Sequence, residues 1–222
     1  MLPRKKRIDM KHDVVFLADT HEYIVDGQSV PSVTEILAPL HKSYKAVNPS
    51  VLEYAANRGK AVHEALELYD LGGELEATPE TEGYIRAYLE WCQVYRPKWT
   101  AVEQIVYHEM DGYAGTLDRL GYLNGTELAV VDIKTSQATK ESLVSVCLQT
   151  YAYAMACQAE YDPRCADCHM SRYGLFLKAD GTYRIVNCRE YEDKYEFSAF
   201  AAWNKILNTH KLITKLLERG KK

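Results

Sequence analysis

The chain is 222 residues long, 47% hydrophobic and 26% charged, with 7 prolines and a net charge of −4. That size supports one substantial core with a small lobe and is short for two full enzyme domains, while the composition excludes a disordered or low-complexity protein. The negative balance excludes a uniformly basic nucleic-acid coat, so a polyanionic partner would have to be met by a local basic channel.

The first residues, Met1-Leu2-Pro3-Arg4-Lys5-Lys6-Arg7, are basic, but Ile8 to Asp13 supply no signal-peptide core. No later run approaches the roughly 20 apolar residues that cross a bilayer. A cytoplasmic protein with a solvated basic start is expected. Val14 to Leu17 and Tyr23 to Val25 read as a short hairpin around Asp19-Thr20-His21. Pro31-Ser32-Val33-Thr34-Glu35-Ile36-Leu37 opens a helix, with Ser32 and Glu35 spaced as a capping box; the hydroxyls and amides at Ser32 and Thr34 are also able to receive a phosphate. Asn48-Pro49 starts the next helix. Its apolar stripe, Val51, Leu52, Tyr54, Ala55, Val62, Leu66 and Tyr69, runs to Gly72-Gly73 and is interrupted at Arg58-Gly59. Arg58, Lys60 and His63 fall within about two turns of that helix. Taken alone they read as a solvated face with one partly buried histidine, or as cations guiding a strand backbone beside a metal ligand. A further amphipathic helix covers Thr81 to Tyr95, its tyrosines suited to core packing or to stacking on unpaired bases.

After Pro97 the pattern changes. Strands are expected at residues 99 to 108, carrying Glu103, at 112 to 123 and at 127 to 135, then a helix at about 139 to 159. Strands at 171 to 178 and 181 to 187, turned by Asp180-Gly181, precede a final helix at 192 to 218. Three strands, a crossover helix and further strands imply an α/β fold whose mixed central sheet has helices on both faces. One domain spans residues 1 to 222, mainly helical over 1 to 95 and α/β over 96 to 222.

Residues 128 to 135, Leu-Ala-Val-Val-Asp-Ile-Lys-Thr, form an apolar, β-rich run that carries two charges. Asp132 and Lys134, two apart, project to one face, and Ile133 to the other. A surface ion pair would account for an isolated Asp-x-Lys; the apolar run before it argues for burial. Asp118 lies on the preceding strand, and the register across Asn124-Gly125 decides whether the two acids meet. A two-residue loop sets Asp118 opposite Val131, facing away. A three-residue loop, Asn124 to Thr126, pairs Leu123 with Glu127 and brings Asp118 opposite Asp132, and that loop, with Gly125 at positive φ, is expected. Like charges so close repel unless a cation lies between them. Carboxylates with the Ile133 carbonyl suit one or two magnesium or manganese ions, and Lys134 would position or deprotonate the attacking water or stabilise the transition state. Gln149 and Tyr153, four apart, share the helix face toward Lys134.

The six cysteines are Cys92, Cys147, Cys157, Cys165, Cys168 and Cys188. Cys165-Ala166-Asp167-Cys168 has the spacing of half a zinc or iron–sulfur site without the second half. Reduced thiols are expected, and no iron–sulfur cluster.

Gly115-x-x-Asp118, Asp132-Ile133-Lys134-Thr135 and Gln149-x-x-x-Tyr153, preceded by Arg58-Gly59-x-x-x-His63, resemble the PD-(D/E)XK nuclease superfamily, in particular its RecB-like exonuclease branch. The segment Tyr23 to Leu37 and Gly59-Lys60-Ala61-Val62-His63-Glu64 are also similar to phage exonucleases and the mitochondrial genome maintenance exonuclease. The resemblance implies a restriction-endonuclease-like core under a helical gate, with Asp118, Asp132, His63 and the Ile133 carbonyl on the metal and Lys134 as catalytic lysine. It further implies that Gln149, Tyr153 and Thr135 support the site or touch DNA, together with Arg58, Lys60, Ser32 and Thr34, and that Glu103 is a further acid. Leu117 stands where the superfamily usually has proline. The expected activity is metal-dependent DNA cleavage from ends or on single strands. A structure-specific or CRISPR-adaptation-type endonuclease is the alternative within the enzyme class; a catalytically silent nucleic-acid-binding module is the alternative outside it, and RNA is a further candidate substrate.

Overall fold

The computed structural model describes residues 11–40, 48–161 and 170–219. Its first element is a small antiparallel sheet of β1 (Val14–Leu17), β2 (Glu22–Val25) and β3 (Gln28–Val30). The third strand adds to the expected hairpin. Asp26 and Gly27, at φ of 47° and 83°, make the two-residue turn between β2 and β3, which is the Asp-Gly signal for a tight hairpin; the strand after it is only three residues long, too short for alternation to show. This sheet leans on the core: the Tyr23 hydroxyl lies 2.8 Å from Thr116 Oγ1, and Ala114 N–H donates to Pro31 O at 3.1 Å.

Helix α1 (Val33–Leu37) is capped by Ser32, whose Oγ accepts from Glu35 N–H at 3.0 Å. Helix α2 (Pro49–Asp70) begins at the cap of Asn48, whose Oδ1 accepts from Ser50 N–H at 3.0 Å. It runs unbroken to Asp70, as the single expected helix does, through Arg58-Gly59 where its apolar stripe is interrupted. A glycine inside a helix costs about 1 kcal/mol relative to alanine but leaves the hydrogen-bond ladder intact. Here it serves a close approach, since a Cβ at Gly59 would lie 3.3 Å from Thr135 Oγ1. Helix α3 (Glu82–Tyr95) stops at the left-handed Arg96 before Pro97.

The main sheet comprises β4 (Lys98–His108), β5 (Tyr113–Leu123), β6 (Glu127–Lys134), β7 (Ser171–Leu177) and β8 (Tyr183–Asn187), in that spatial order. Only β6 and β7 are parallel, joined by the crossover helix α4 (Lys140–Tyr161). The expected single last helix is two: α5 (Cys188–Lys194) and α6 (Ala199–Arg219). Glu196 at φ 52° turns the chain between them, and Glu192 explains the break. Its buried carboxylate accepts from Ala199 N–H at 3.0 Å, at the start of α6, and from Arg172 at 2.6 Å. A charged cap in the middle of a periodic stripe is invisible to periodicity.

Two apolar layers follow from strand alternation. Val130 joins Leu117, Leu148, Ala152 and Trp203 on the side of α1, α4 and α6. Ala129, Val131 and Ile133 join Val62, Leu66, Tyr88 and Trp91 on the side of α2 and α3. The five-stranded mixed sheet flanked by helices is the expected α/β fold. On β4 the alternation fails twice: a bulge between Trp99 and Ala101 puts those two in opposite layers, and further on Val102 faces α2 and α3, yet Val106, four residues on, faces α4. Between them stands Glu103, at φ 45°.

Candidate metal centre

The loop from Asn124 to Thr126 has three residues, with Asn124 at φ 49°, Gly125 at φ 86° and Leu123 paired with Glu127. The ladder of β5 and β6 continues to Arg119↔Val131 and ends there. One step further it would pair Asp118 with Asp132. The strands part instead, and Asp118 Oδ2 accepts the freed N–H of Ile133 at 2.6 Å. On the other side, Glu103 falls between the pairs Val102↔Arg119 and Gln104↔Leu117, opposite Asp118. Three acids thus occupy one row across β4, β5 and β6. The left-handed backbone at Glu103, strained for a residue with a Cβ, turns its carboxylate into that row.

Helix α2 lays His63 over two of them. Its Nδ1 is 3.4 Å from Glu103 Oε1 and 3.9 Å from Asp118 Oδ2, and its Nε2 is 3.1 Å from the Ile133 carbonyl oxygen. Ligand atoms of His63, Glu103 and Asp118 lie within 4.8 Å of one another. Burial raises the pKa of Asp118, the imidazole of His63 opposes that rise, and Glu103 adds to it. Burial lowers His63, but Asp118 and Glu103 outweigh it and bring the imidazole up to about 9. Two carboxylates, an imidazole and a carbonyl oxygen form a set of mainly hard donors around a point of negative potential, which fits a divalent cation.

Asp132 is wholly buried and has another partner. Lys134 Nζ donates to its Oδ1 at 3.1 Å and stands 2.8 Å from its Oδ2, the latter an ion contact without hydrogen-bond geometry. Burial pushes the Asp132 carboxyl up to about 6 against the pull of Lys134. Lys134 Nζ also donates to Gln149 Oε1 at 3.1 Å, and Gln149 Nε2 donates to the Tyr153 hydroxyl at 3.0 Å. Asp132, Lys134, Gln149 and Tyr153 therefore form one chain from the sheet to α4. Gly115 completes it, because a Cβ there would sit 2.7 Å from Tyr153 Cε1.

The sequence profile of the PD-(D/E)XK nuclease superfamily matches residues 77–219. The chain belongs to that superfamily. Its members are nucleases that use divalent metal ions, and the His63, Glu103 and Asp118 group is where such an ion fits this one. No curated protein matches the chain.

The resemblance puts Asp132 among the expected ligands and makes Glu103 a further acid. The nuclease brings Glu103 into the cluster and turns Asp132 toward Lys134. It also holds a residue that sequence reasoning missed. Arg119 is fully buried; its Nε donates to Asp70 Oδ2 at 2.6 Å and its Nη1 to Glu103 Oε1 at 2.9 Å and to Asp118 O at 2.8 Å. Asp70 Oδ2 also accepts from the Tyr88 hydroxyl at 2.7 Å, which accepts from Trp99 Nε1 at 3.2 Å. The end of α2 is thereby tied to the carboxylate that His63, on the same helix, touches. The signal was an arginine inside the apolar run Leu117 to Leu123, a charge that burial obliges to pair.

The other expected residues spread over two cavities. One, of about 510 Å³, opens over the acids and is lined by Ser32, Thr34, Lys60, Gln149 and Tyr153 among others. Thr135 lines the second, and Arg58 lies outside both linings, its guanidinium 5.1 Å from the Tyr84 ring centre and 5.9 Å from that of Tyr54. Cys165 and Cys168 lie outside the described residues. The four described cysteines, Cys92, Cys147, Cys157 and Cys188, are free thiols.

Proposed function

We propose that this nuclease is a magnesium- or manganese-dependent DNA exonuclease of the RecB-like, phage-type branch, hydrolysing phosphodiester bonds from ends or on single strands. The observation that carries the reading is the convergence of His63, Glu103, Asp118 and the Ile133 carbonyl beside Lys134. Arg58-Gly59 and His63 on one unbroken helix, and Gln149 and Tyr153 one turn apart, support the branch.

A bound divalent ion supplies charge neutralisation on the scissile phosphate and a more acidic water. The protein does the rest. Glu103, Asp118 and His63 hold the ion, with Asp132 the next carboxylate in the row. Lys134, fixed between Asp132 and Gln149, presents a preorganised cation to the charge that grows on the phosphoryl oxygens as water adds to phosphorus, giving up a proton to solvent, and the bond to the sugar oxygen breaks, that oxygen taking a proton from solvent. Gln149 and Tyr153 keep the ammonium from swinging away. Residues 1 to 95, through α2 and the β1–β3 sheet, act as the gate that admits a strand to the first cavity.

Lys134→Ala should abolish metal-dependent degradation of end-labelled linear DNA, and the variant should melt cooperatively. Covalently closed circles should resist the native enzyme while linear single strands and duplexes shorten progressively. Cleavage of closed circles would replace the exonuclease by an endonuclease, and retained cleavage in Lys134→Ala would overturn the site.

A further inference from the structure

The second cavity, of about 480 Å³, begins where Lys134 ends. Thr135, Ser136 and Gln137 leave the C-terminal end of β6 and form its near wall; Lys178 and Arg184, from the β7–β8 hairpin, form its far wall. Among the described residues no acid lines it, in a chain whose net charge is −4. Hydroxyl and amide donors on one side and two exposed cations on the other suit a phosphate, and a single-stranded polyanion is bound through such basic grooves. Tyr84 lines the floor, but it is almost wholly buried and Arg58 stacks on it, so it offers no open face to a base.

The cavity is held in shape. Gly83, at the start of α3, abuts the Ala179 main chain so closely that a Cβ would collide with its carbonyl, and Gly181 leaves no room for a side chain beside the Arg86 guanidinium. Arg86 Nη2 donates to Asp180 O at 2.8 Å. Asp180 turns its own carboxylate back onto Thr182, accepting from its N–H at 2.9 Å and its hydroxyl at 2.6 Å. The turn that carries Lys178 is thus clamped to α3, a prearranged donor set rather than a loose loop. Consecutive residues of α2 run across the join of the two cavities: Lys60 lines the first, Gly59 leaves room beside Thr135 that a Cβ would fill, and Arg58 covers Tyr84.

We propose that this second cavity is a subsite for the sugar–phosphate backbone of the strand, in which Lys178 and Arg184 take a phosphate beyond the scissile one. The assignment rests on the nuclease reading above and adds to it a path for the strand: from the acids, past Lys134, into the cleft between the Thr135–Gln137 segment and the β7–β8 hairpin. Because only backbone groups are met, the subsite does not distinguish bases.

The test is equilibrium binding of fluorescent dT20 and dA20 in magnesium, in a Lys134→Ala background so that the strands survive. Adding Lys178→Glu and Arg184→Glu should weaken binding of both strands about tenfold or more. It should also flatten the slope of log affinity against log salt by about 0.7, the loss of one phosphate contact on a single strand. Lys178→Gln with Arg184→Gln, which removes charge without reversing it, should give the same pattern with a smaller loss, and in the native background either pair should raise KM for DNA. Unchanged affinity and salt slope in both pairs, with the native enzyme active, would overturn the subsite alone. A loss confined to one of the two strands would overturn it too, by pointing to base contacts. A native enzyme that neither binds nor cleaves any strand would remove the nuclease reading and the subsite with it.

Discussion

Gly115 shows how a residue without chemistry governs one that has it. Between its Cα and the Tyr153 ring there is no space for a methyl group, and Tyr153 supports Gln149, which supports Lys134. Gly115→Ala should therefore push the ring, and the ammonium behind it, by a fraction of an ångström or more, lowering kcat on the order of 10- to 100-fold with only a modest drop in melting temperature. The protons of the centre are a second residue-scale matter. Asp132 is raised from 3.8 to about 6, so the stability it contributes to the metal-free fold is fully present below about pH 4 and lost as pH rises through 6. His63 is raised from 6.5 to about 9; its contribution is fully present below about pH 6.5 and lost as pH rises through 9. Both have the same sign, so in a chelator the melting temperature should fall from pH 4 to 9 relative to a protein lacking these groups. Added magnesium must displace protons from the cluster, so it should raise melting more at pH 8 than at pH 5. Melts at several pH values with and without the ion check both statements.

At the level of elements, the strands and helices of the core were legible because periods of 2 and 3.6 residues dominate there. The register of β5 on β6 was legible too, since only an odd loop lets Asp118 and Asp132 occupy the same row. What stayed hidden depended on single residues acting across the fold. Glu192 divides the last helix by capping α6, Gly59 sits in a helix because Thr135 passes beside it, and Glu103 enters the cluster through a left-handed backbone that no spacing announces. The contact of α3 with the β7–β8 turn is of this kind. Gly83→Ala should force the two apart and cost about 1 to 3 kcal/mol in urea unfolding, and it should weaken DNA binding by displacing Lys178.

For the molecule as a whole, the superfamily match begins at residue 77, but the centre does not. His63 and Asp70 precede it, and Asp70 reaches Arg119 across 49 positions of sequence, a pairing that a reading of local patterns has no means to see. A fragment beginning at residue 77 should leave Arg119 buried without its principal anion, a loss of about 3 to 5 kcal/mol, and strip Val62 and Leu66 from one face of the sheet. It should be insoluble or lack near-ultraviolet dichroism. The crossover that makes β6 and β7 parallel has a consequence during synthesis. Lys134 leaves the ribosome well before Gln149 and Tyr153, and β7, against which β6 must lie, is made after α4. A growing polypeptide therefore holds acids and an amine with nothing to steady them, and acquires its capacity to cut only after α4 and β7 have been made.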